Sequence, residues 1–164
     1  RLDIHKINEK SDEWHKVFNT NVIACSLLVE YLQDCFSSNS SIVNISSIYS
    51  QLSTELNIYK EEEKDLMFQI NLIYGASKAA LNAVSLHWAK YFSSIGKSVR
   101  VNTVVLGGLK NEQNEDFEKK YSQFSMSREF ISVSESVDLI SYLLSDKSRI
   151  LNGEEVHASK GWKK

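Results

Sequence analysis

Proline is absent from this 164-residue sequence, which also has only two cysteines. Cys25 and Cys35 are predicted on one helix, about 15 Å apart along its axis, which is too far for a disulfide. Free thiols are typical of a reducing compartment, so we expect a soluble cytoplasmic protein.

Long apolar runs and a strong excess of one charge are also missing. No apolar run approaches the ~20 residues of a membrane-spanning helix, and no signal peptide is visible. A formal net charge of −2 gives no electrostatic reason to expect nucleic acid or a membrane surface as a partner. The four histidines lack ligand spacing, so we expect no metal site.

The hydrophobic pattern predicts one α/β domain. At 42% hydrophobic residues, residues 1–164 are long enough for one core and too short for two domains. Helical and strand patterns alternate, as in a parallel α/β sheet. The predicted elements are helix 14–36 capped by Ser11 or Asp12, strand 42–47, helix 74–94 ended by Gly96, strand 98–106, helix 134–146, and a short strand around 155–158.

Tyr74 and Lys78 lie four residues apart on a predicted helix. Residues four apart face the same side of a helix. A nearby ammonium favours a phenolate, so we expect Lys78 to lower the pKa of Tyr74 and make it a general acid/base. Chance placement of a surface lysine near a half-buried tyrosine is the alternative.

Three other features are open to two interpretations each. Asn21 lies on the apolar stripe of the first helix, where it is either a satisfied core amide or part of a polar site. Ser46 and Ser47 end the first strand, where ligands bind in open α/β sheets, although turn serines are equally common there. The connection 49–72 is long, and its aromatic residues either contact a substrate or only anchor the loop.

These residues, taken in order, resemble the short-chain dehydrogenase/reductase family. The resemblance rests on five segments that span nearly the whole chain. They are Trp14 with Asn21, Ile42-Val43-Asn44-Ile45-Ser46-Ser47, Tyr74-Gly75-Ala76-Ser77-Lys78, Arg100-Val101-Asn102-Thr103-Val104, and Ile150-Leu151-Asn152-Gly153 with the tail at Gly161-Trp162.

The resemblance implies a Rossmann-like doubly wound parallel sheet, here strands 5–7 of the family with their flanking helices. It also implies hydride transfer between NAD or NADP and a small-molecule carbonyl or alcohol. Tyr74 would be the catalytic acid/base, Lys78 would bind the nicotinamide ribose, and Ser47 would polarise the carbonyl. Asn21 would anchor a water-mediated proton relay to Lys78.

The loop after the second strand would contact the nicotinamide carboxamide. Cofactor-binding residues implied there are Gly107, Gly108, Leu109 and Asn111, although Leu106 stands where the family usually has proline. Ser47 and Tyr74 are farther apart in sequence than is usual in the family. The extra residues, around Ile58-Tyr59-Lys60-Glu61, resemble an insertion in members that modify sugars of bacterial surface glycans. This suggests a sugar or sugar-nucleotide substrate.

The family's Gly-rich phosphate loop would precede residue 1, so we expect this chain to be the C-terminal part of a member. We expect the 164 residues alone to bind NAD(P) no better than millimolar, and to aggregate or unfold. The rival interpretation is a non-catalytic Rossmann-like binding or scaffold protein, or a truncated pseudo-enzyme. Family members pair the 14–36 and 74–94 helices across a two-fold axis, so we expect a homodimer or homotetramer.

Overall fold

The sheet of this protein is seen in a computed structural model that describes residues 4–162, with side chains from residue 11 onward. Within those residues it has three parallel strands in the spatial order β1-β2-β3. Their bounds are β1 Ser41–Ser47, β2 Arg100–Leu106 and β3 Glu155–Ala158. Because the strands are parallel, their carboxyl ends lie at one edge of the sheet, which is the edge where ligands bind in open α/β sheets.

Helices cover both faces of this sheet. Side chains on alternate positions of a strand point to opposite faces. Val101 of β2 packs with Ala89 and Phe92 on one face, whereas Val104 packs with Leu143 on the other. The helices that supply these partners and the remaining helices are α1 Ile4–Phe18, α2 Ala24–Leu32, α3 Lys64–Ser94, α4 Glu115–Ser122 and α5 Val133–Leu144.

This arrangement confirms the predicted Rossmann-like doubly wound sheet. Gly96 follows α3 with φ of +72°, a left-handed conformation that glycine adopts without strain, so it ends the helix as predicted. Among the helices of the described residues, none is both long and apolar enough to span a membrane.

The first helical region differs from its prediction in three ways, one of which is that α2 ends at Leu32 and not at residue 36. Helix α1 already begins at Ile4, so the predicted cap at Ser11 or Asp12 is wrong. A π-helical turn, Asn19–Ile23, then separates α1 from α2, and the Ala24 N–H bonds to the Asn19 carbonyl five residues back. Such a turn inserts one residue into the helix and is frequent at functional sites.

The connection 49–72 is more ordered than its sequence indicates. It contains three short 3₁₀ turns, and α3 begins at Lys64 rather than near Tyr74. Four apolar residues of this first part of α3 alternate with a period of two and are exposed: Leu66, Phe68, Ile70 and Leu72. Met67 between them is partly buried. A pattern of that period does not predict an amphipathic helix, which explains the missed start.

Candidate active site

Two serines at the carboxyl end of β1 face different partners. Ser46 Oγ donates to the Lys78 carbonyl at 3.4 Å and so ties β1 to α3. Ser47 Oγ accepts a hydrogen bond from the Tyr49 N–H at 3.2 Å, which fixes the side chain. A hydroxyl also has a proton to donate, so Ser47 can still bind a substrate oxygen.

Tyr74 is brought to Ser47 by a close approach of α3 to the turn after β1. A Cβ atom added at Gly75 would lie 2.6 Å from the Tyr49 carbonyl oxygen, which is closer than side chains tolerate. Gly75 is therefore required for this approach.

One cavity of about 240 Å³ joins these residues to the loop after β2. Five of the residues named from the sequence line it: Ser47, Tyr74, Gly107, Gly108 and Leu109. They come from two neighbouring strand ends and from α3. The arrangement places two hydroxyl-bearing side chains in one cavity, beside a wall that includes glycine backbone.

Three other predicted site residues, Lys78, Asn111 and Asn21, do not line this cavity. Lys78 Nζ donates to the Ile45 carbonyl at 2.8 Å and lies 5.5 Å from the centroid of the Tyr74 ring. Asn111 is exposed to solvent, and its backbone N–H donates to Gln113 Oε1 at 2.7 Å.

Asn21 reaches the site through Ser77. It lies on the π-helical turn, and its Nδ2 donates to Ser77 Oγ at 3.0 Å. Ser77 is fully buried, and its hydroxyl donates to the Tyr74 carbonyl at 2.7 Å. The side chain of Asn21 is therefore connected to the backbone of Tyr74, and no direct bond links it to Lys78 among the described contacts.

The titration of Tyr74 differs from the sequence-based expectation. Burial raises the pKa of Tyr74 above its ordinary value, and hydrogen bonding with Ser47 acts in the opposite direction. The expectation that Lys78 makes the net pKa lower is wrong for this arrangement, because burial disfavours the phenolate. Burial likewise lowers the pKa of Lys78, with Cys25 opposing that shift. Tyr74 is thus a protonated phenol at neutral pH.

Several cavity residues were not named as site residues from the sequence. They are Ile48, Tyr49, Tyr59, Asn71, Gln113, Phe117, Tyr121 and Phe130. Tyr59 belongs to the connection 49–72, whose aromatic residues were left open as substrate contacts or loop anchors. The spacing of Phe117 and Tyr121 indicated only a loose helix, so nothing in the sequence connected them to Tyr74.

A larger cavity of about 730 Å³ lies beside α4 and the start of α5. Its charged side chains include the ion pairs Lys110–Glu118 and Lys160–Glu135, so much of its charge is already neutralised. Neither Ser47 nor Tyr74 lines it, so it is not the candidate catalytic site.

Comparison with known proteins identifies the family. A family model described as Enoyl-(Acyl carrier protein) reductase matches residues 2–163. The chain therefore belongs to the short-chain dehydrogenase/reductase family, as its motifs indicate.

Two curated relatives are similar to this chain. Post-translational flagellin modification protein A of Campylobacter coli is 27% identical over 122 residues, which cover 74% of this chain and 45% of the relative. L-xylulose reductase of Aspergillus niger is 28% identical over 148 residues, which cover 87% of this chain and 44% of the relative. The chain thus spans about half the length of the curated relatives it matches.

Solved structures share the fold. A short chain dehydrogenase from Leptospira borgpetersenii with bound NAD⁺ has a TM-score of 0.77 and 22% identity, over 92% of this chain and 56% of that one. An angucycline C-6 ketoreductase with bound NADP has a TM-score of 0.76 and 21% identity, over 92% of this chain and 54% of that one. Both support the Rossmann-like architecture described above.

Proposed function

We propose that this chain carries the catalytic residues of an NAD(P)-dependent oxidoreductase that acts on a carbonyl or alcohol. The observation that carries the proposal is the shared cavity of Ser47 and Tyr74 at the carboxyl end of β1. Family membership and relatives named as reductases support it. Residues 1–164 would belong to one Rossmann-type domain.

The residues around the cavity fit the nicotinamide end of such a cofactor. Gly107 and Gly108 present backbone instead of side chains, and a Cβ at Gly108 would lie 2.6 Å from the Tyr121 ring. Leu109 follows them on the cavity wall. Lys78, whose Nζ lies 5.5 Å from the centroid of the Tyr74 ring, is the candidate ligand of the ribose. Asn111 would have to turn inward from solvent to take part. NAD(P) would supply or accept the hydride, and solved relatives hold either NAD⁺ or NADP.

Tyr74 would exchange the proton at the substrate oxygen. Because burial keeps its phenol protonated at neutral pH, Tyr74 is set to donate a proton in carbonyl reduction. Ser47 would donate a second hydrogen bond to the same oxygen and polarise the carbonyl. Through Ser77, Asn21 would hold in place the turn of α3 that carries Tyr74.

A sugar or sugar nucleotide of surface-glycan biosynthesis is one candidate substrate class. Its support is the wide spacing of Ser47 and Tyr74 together with the names of two relatives, a flagellin modification protein and an L-xylulose reductase. Such a substrate needs partners on the cavity wall for several hydroxyl groups.

The test of the catalytic assignment is Tyr74→Phe in the native protein. We expect turnover to fall about 100-fold or more, with cofactor affinity nearly unchanged, because the variant loses only the proton donor. Tyr142→Phe is the control, since Tyr142 lies on α5, is 41% exposed and does not line the cavity. Undiminished turnover in Tyr74→Phe would reject the assignment and favour a non-catalytic binding protein.

Assembly into a homodimer or homotetramer is part of the proposal. Helices α2 and α3 lie side by side, joined by the bond from Trp88 Nε1 to Ser26 Oγ at 3.1 Å. Their surface exposes Leu28, Tyr31 and Leu86, an apolar area that a second copy would cover. Light scattering at micromolar concentration should give at least twice the monomer mass. The two free cysteines support a cytoplasmic location.

A further inference from the structure

The remaining wall of the candidate active site is mostly aromatic. Its rings belong to Tyr49, Tyr59, Phe117, Tyr121 and Phe130. Among the described residues that line the cavity, none carries a charged side chain. A charged substrate group placed here would lose its hydration and gain no ionic partner in return.

The rings form a connected surface. Tyr59 and Phe117 have their centroids 5.6 Å apart, and Phe117 and Tyr121 are 5.9 Å apart. Tyr121 stacks on Phe130 at 4.3 Å and is itself buried, with 6% of its surface exposed. Tyr59 and Phe117 are only partly buried, so their faces remain accessible from the cavity.

Several polar atoms of this wall are already hydrogen-bonded within the protein. Asn71 Nδ2 donates to the Tyr59 hydroxyl at 3.3 Å. The Tyr121 hydroxyl accepts a hydrogen bond from the Gly108 N–H, and Gln113 Nε2 donates to a carbonyl of its own loop at 2.9 Å. The phenols of Tyr59 and Tyr121 keep an O–H to donate, but a polyhydroxylated ligand would have to compete with the bonds already made here for part of its own pairing, at a cost.

Two of the phenols on this wall stay neutral at physiological pH. Burial raises the pKa of Tyr121 to about 12, although the bond from Gly108 opposes the shift. Burial also raises the pKa of Tyr49, with the neighbouring Tyr59 adding to the effect. The wall therefore presents uncharged aromatic faces.

We infer that the reacting carbonyl or alcohol belongs to an uncharged ring with apolar faces, which packs against Tyr59 and Phe117 while Ser47 and Tyr74 bind its oxygen. Aromatic faces bind such a ring through apolar contact and stacking, which needs no free hydrogen-bonding group. The inference rests on the proposed function. It selects against the sugar or sugar nucleotide that the relatives suggest.

Three cyclohexanones that differ only in their substituents test this inference. They are 4-methylcyclohexanone, its anionic counterpart 4-oxocyclohexanecarboxylate, and the polyhydroxylated myo-2-inosose. The native protein is assayed with NADH and with NADPH, and binding of each ketone is measured separately by saturation-transfer NMR. We expect 4-methylcyclohexanone to bind best and to have the highest kcat/KM, by about tenfold or more.

Variants of the wall give a second readout. Phe117→Ala should raise KM for 4-methylcyclohexanone about tenfold while kcat changes little, because the lost contact serves recognition. Tyr59→Phe is the matched control for Tyr59→Ala: it keeps the ring, so affinity should survive in Tyr59→Phe and fall in Tyr59→Ala. Thermal unfolding of each variant checks that the fold is intact.

The outcomes separate the inference from the proposed function. Turnover that depends on Tyr74 but prefers the inosose or the carboxylate overturns the inference and leaves the function standing. Binding of 4-methylcyclohexanone that Phe117→Ala weakens, with no turnover of any ketone, rejects the catalytic proposal, and with it the inference about the reacting group, and leaves only a binding site for an uncharged ring. If the methyl ketone neither binds nor reacts, the inference is wrong.

Discussion

Strands β1 and β2 pair in register over seven residues, yet they serve different purposes. Every residue of β2 is buried, whereas β1 is buried only at its carboxyl end, at Ser46 and Ser47. Apart from Ser41, which bonds to α5, the polar side chains of β1 face α3 and the cavity. Those of β2 instead hold the chain between α5 and β3: Asn102 Nδ2 donates to the Leu151 carbonyl at 2.9 Å.

The difference shows that strand position decides what a polar residue does. β2 lies between two strands and two helical layers, so its polar groups must find partners inside the protein. The carboxyl end of β1 opens into the cavity, so Ser47 keeps a donor for a ligand. Substitutions in the two strands should therefore damage different properties: stability in β2 and turnover in the last residues of β1.

Arg100→Met in β2 should give the largest loss of stability. The Arg100 guanidinium is buried and donates to the carbonyls of Ser145 at 3.0 Å and Ser148 at 3.1 Å, among others. Its removal leaves these acceptors unpaired, so we expect a loss of about 3 kcal/mol in the free energy of unfolding. Urea denaturation measures this. Arg149→Met, at an exposed neighbour, should change it little, and equal losses in both variants would contradict the assignment.

Ser47→Ala in β1 should affect catalysis instead. We expect carbonyl reduction to slow about 100-fold, because one hydrogen-bond donor to the substrate oxygen is lost. Hydrogen bonding with Ser47 lowers the pKa of Tyr74, so without it burial acts unopposed and the pKa rises further. Alcohol oxidation requires the deprotonated phenol, and its rate should therefore rise with pH at more alkaline values than in the parent.

The pH–rate profile of alcohol oxidation measures that shift, and Ser46→Ala is its control. Ser46 binds the Lys78 carbonyl and does not line the cavity, so its variant should keep the parent profile. A Ser47→Ala profile displaced towards acid would show that Ser47 does not favour the phenolate of Tyr74.

Substitutions of Ile45 and Val104, which are partners in the β1–β2 register, should have the smallest effect on the free energy of unfolding. Val104 has no exposed surface, and Val104→Ala should cost about 2 kcal/mol of unfolding free energy through the cavity it leaves. Ile45 is 39% exposed, so Ile45→Ala should cost less than about 1 kcal/mol although it removes more carbon atoms. Chemical denaturation of both variants tests this. A larger cost at Ile45 would show that another surface covers its side chain in the native protein.

Much of the fold was predictable because its signals are local. The β-branched runs of β1 and β2 predicted strands within two residues of their observed bounds, and Gly96 marked the end of α3. The start of α3 was not predictable, since its exposed apolar residues alternate with a period of two. The π-helical turn also left no recognisable pattern, although it carries Asn21.

The sequence by itself determined the family, the parallel α/β class, and the residue types at Ser47, Tyr74 and Lys78. These features depend only on the spacing of residues along single helices and strands. Only the tertiary structure decided the environment of those residues. Burial raises the pKa of Tyr74 where the neighbouring lysine alone predicted the opposite. The contact of Tyr59 with Phe117 joins residues 58 positions apart in sequence. Burial and long-range contact arise from packing of the whole chain, which is why no local pattern predicts them.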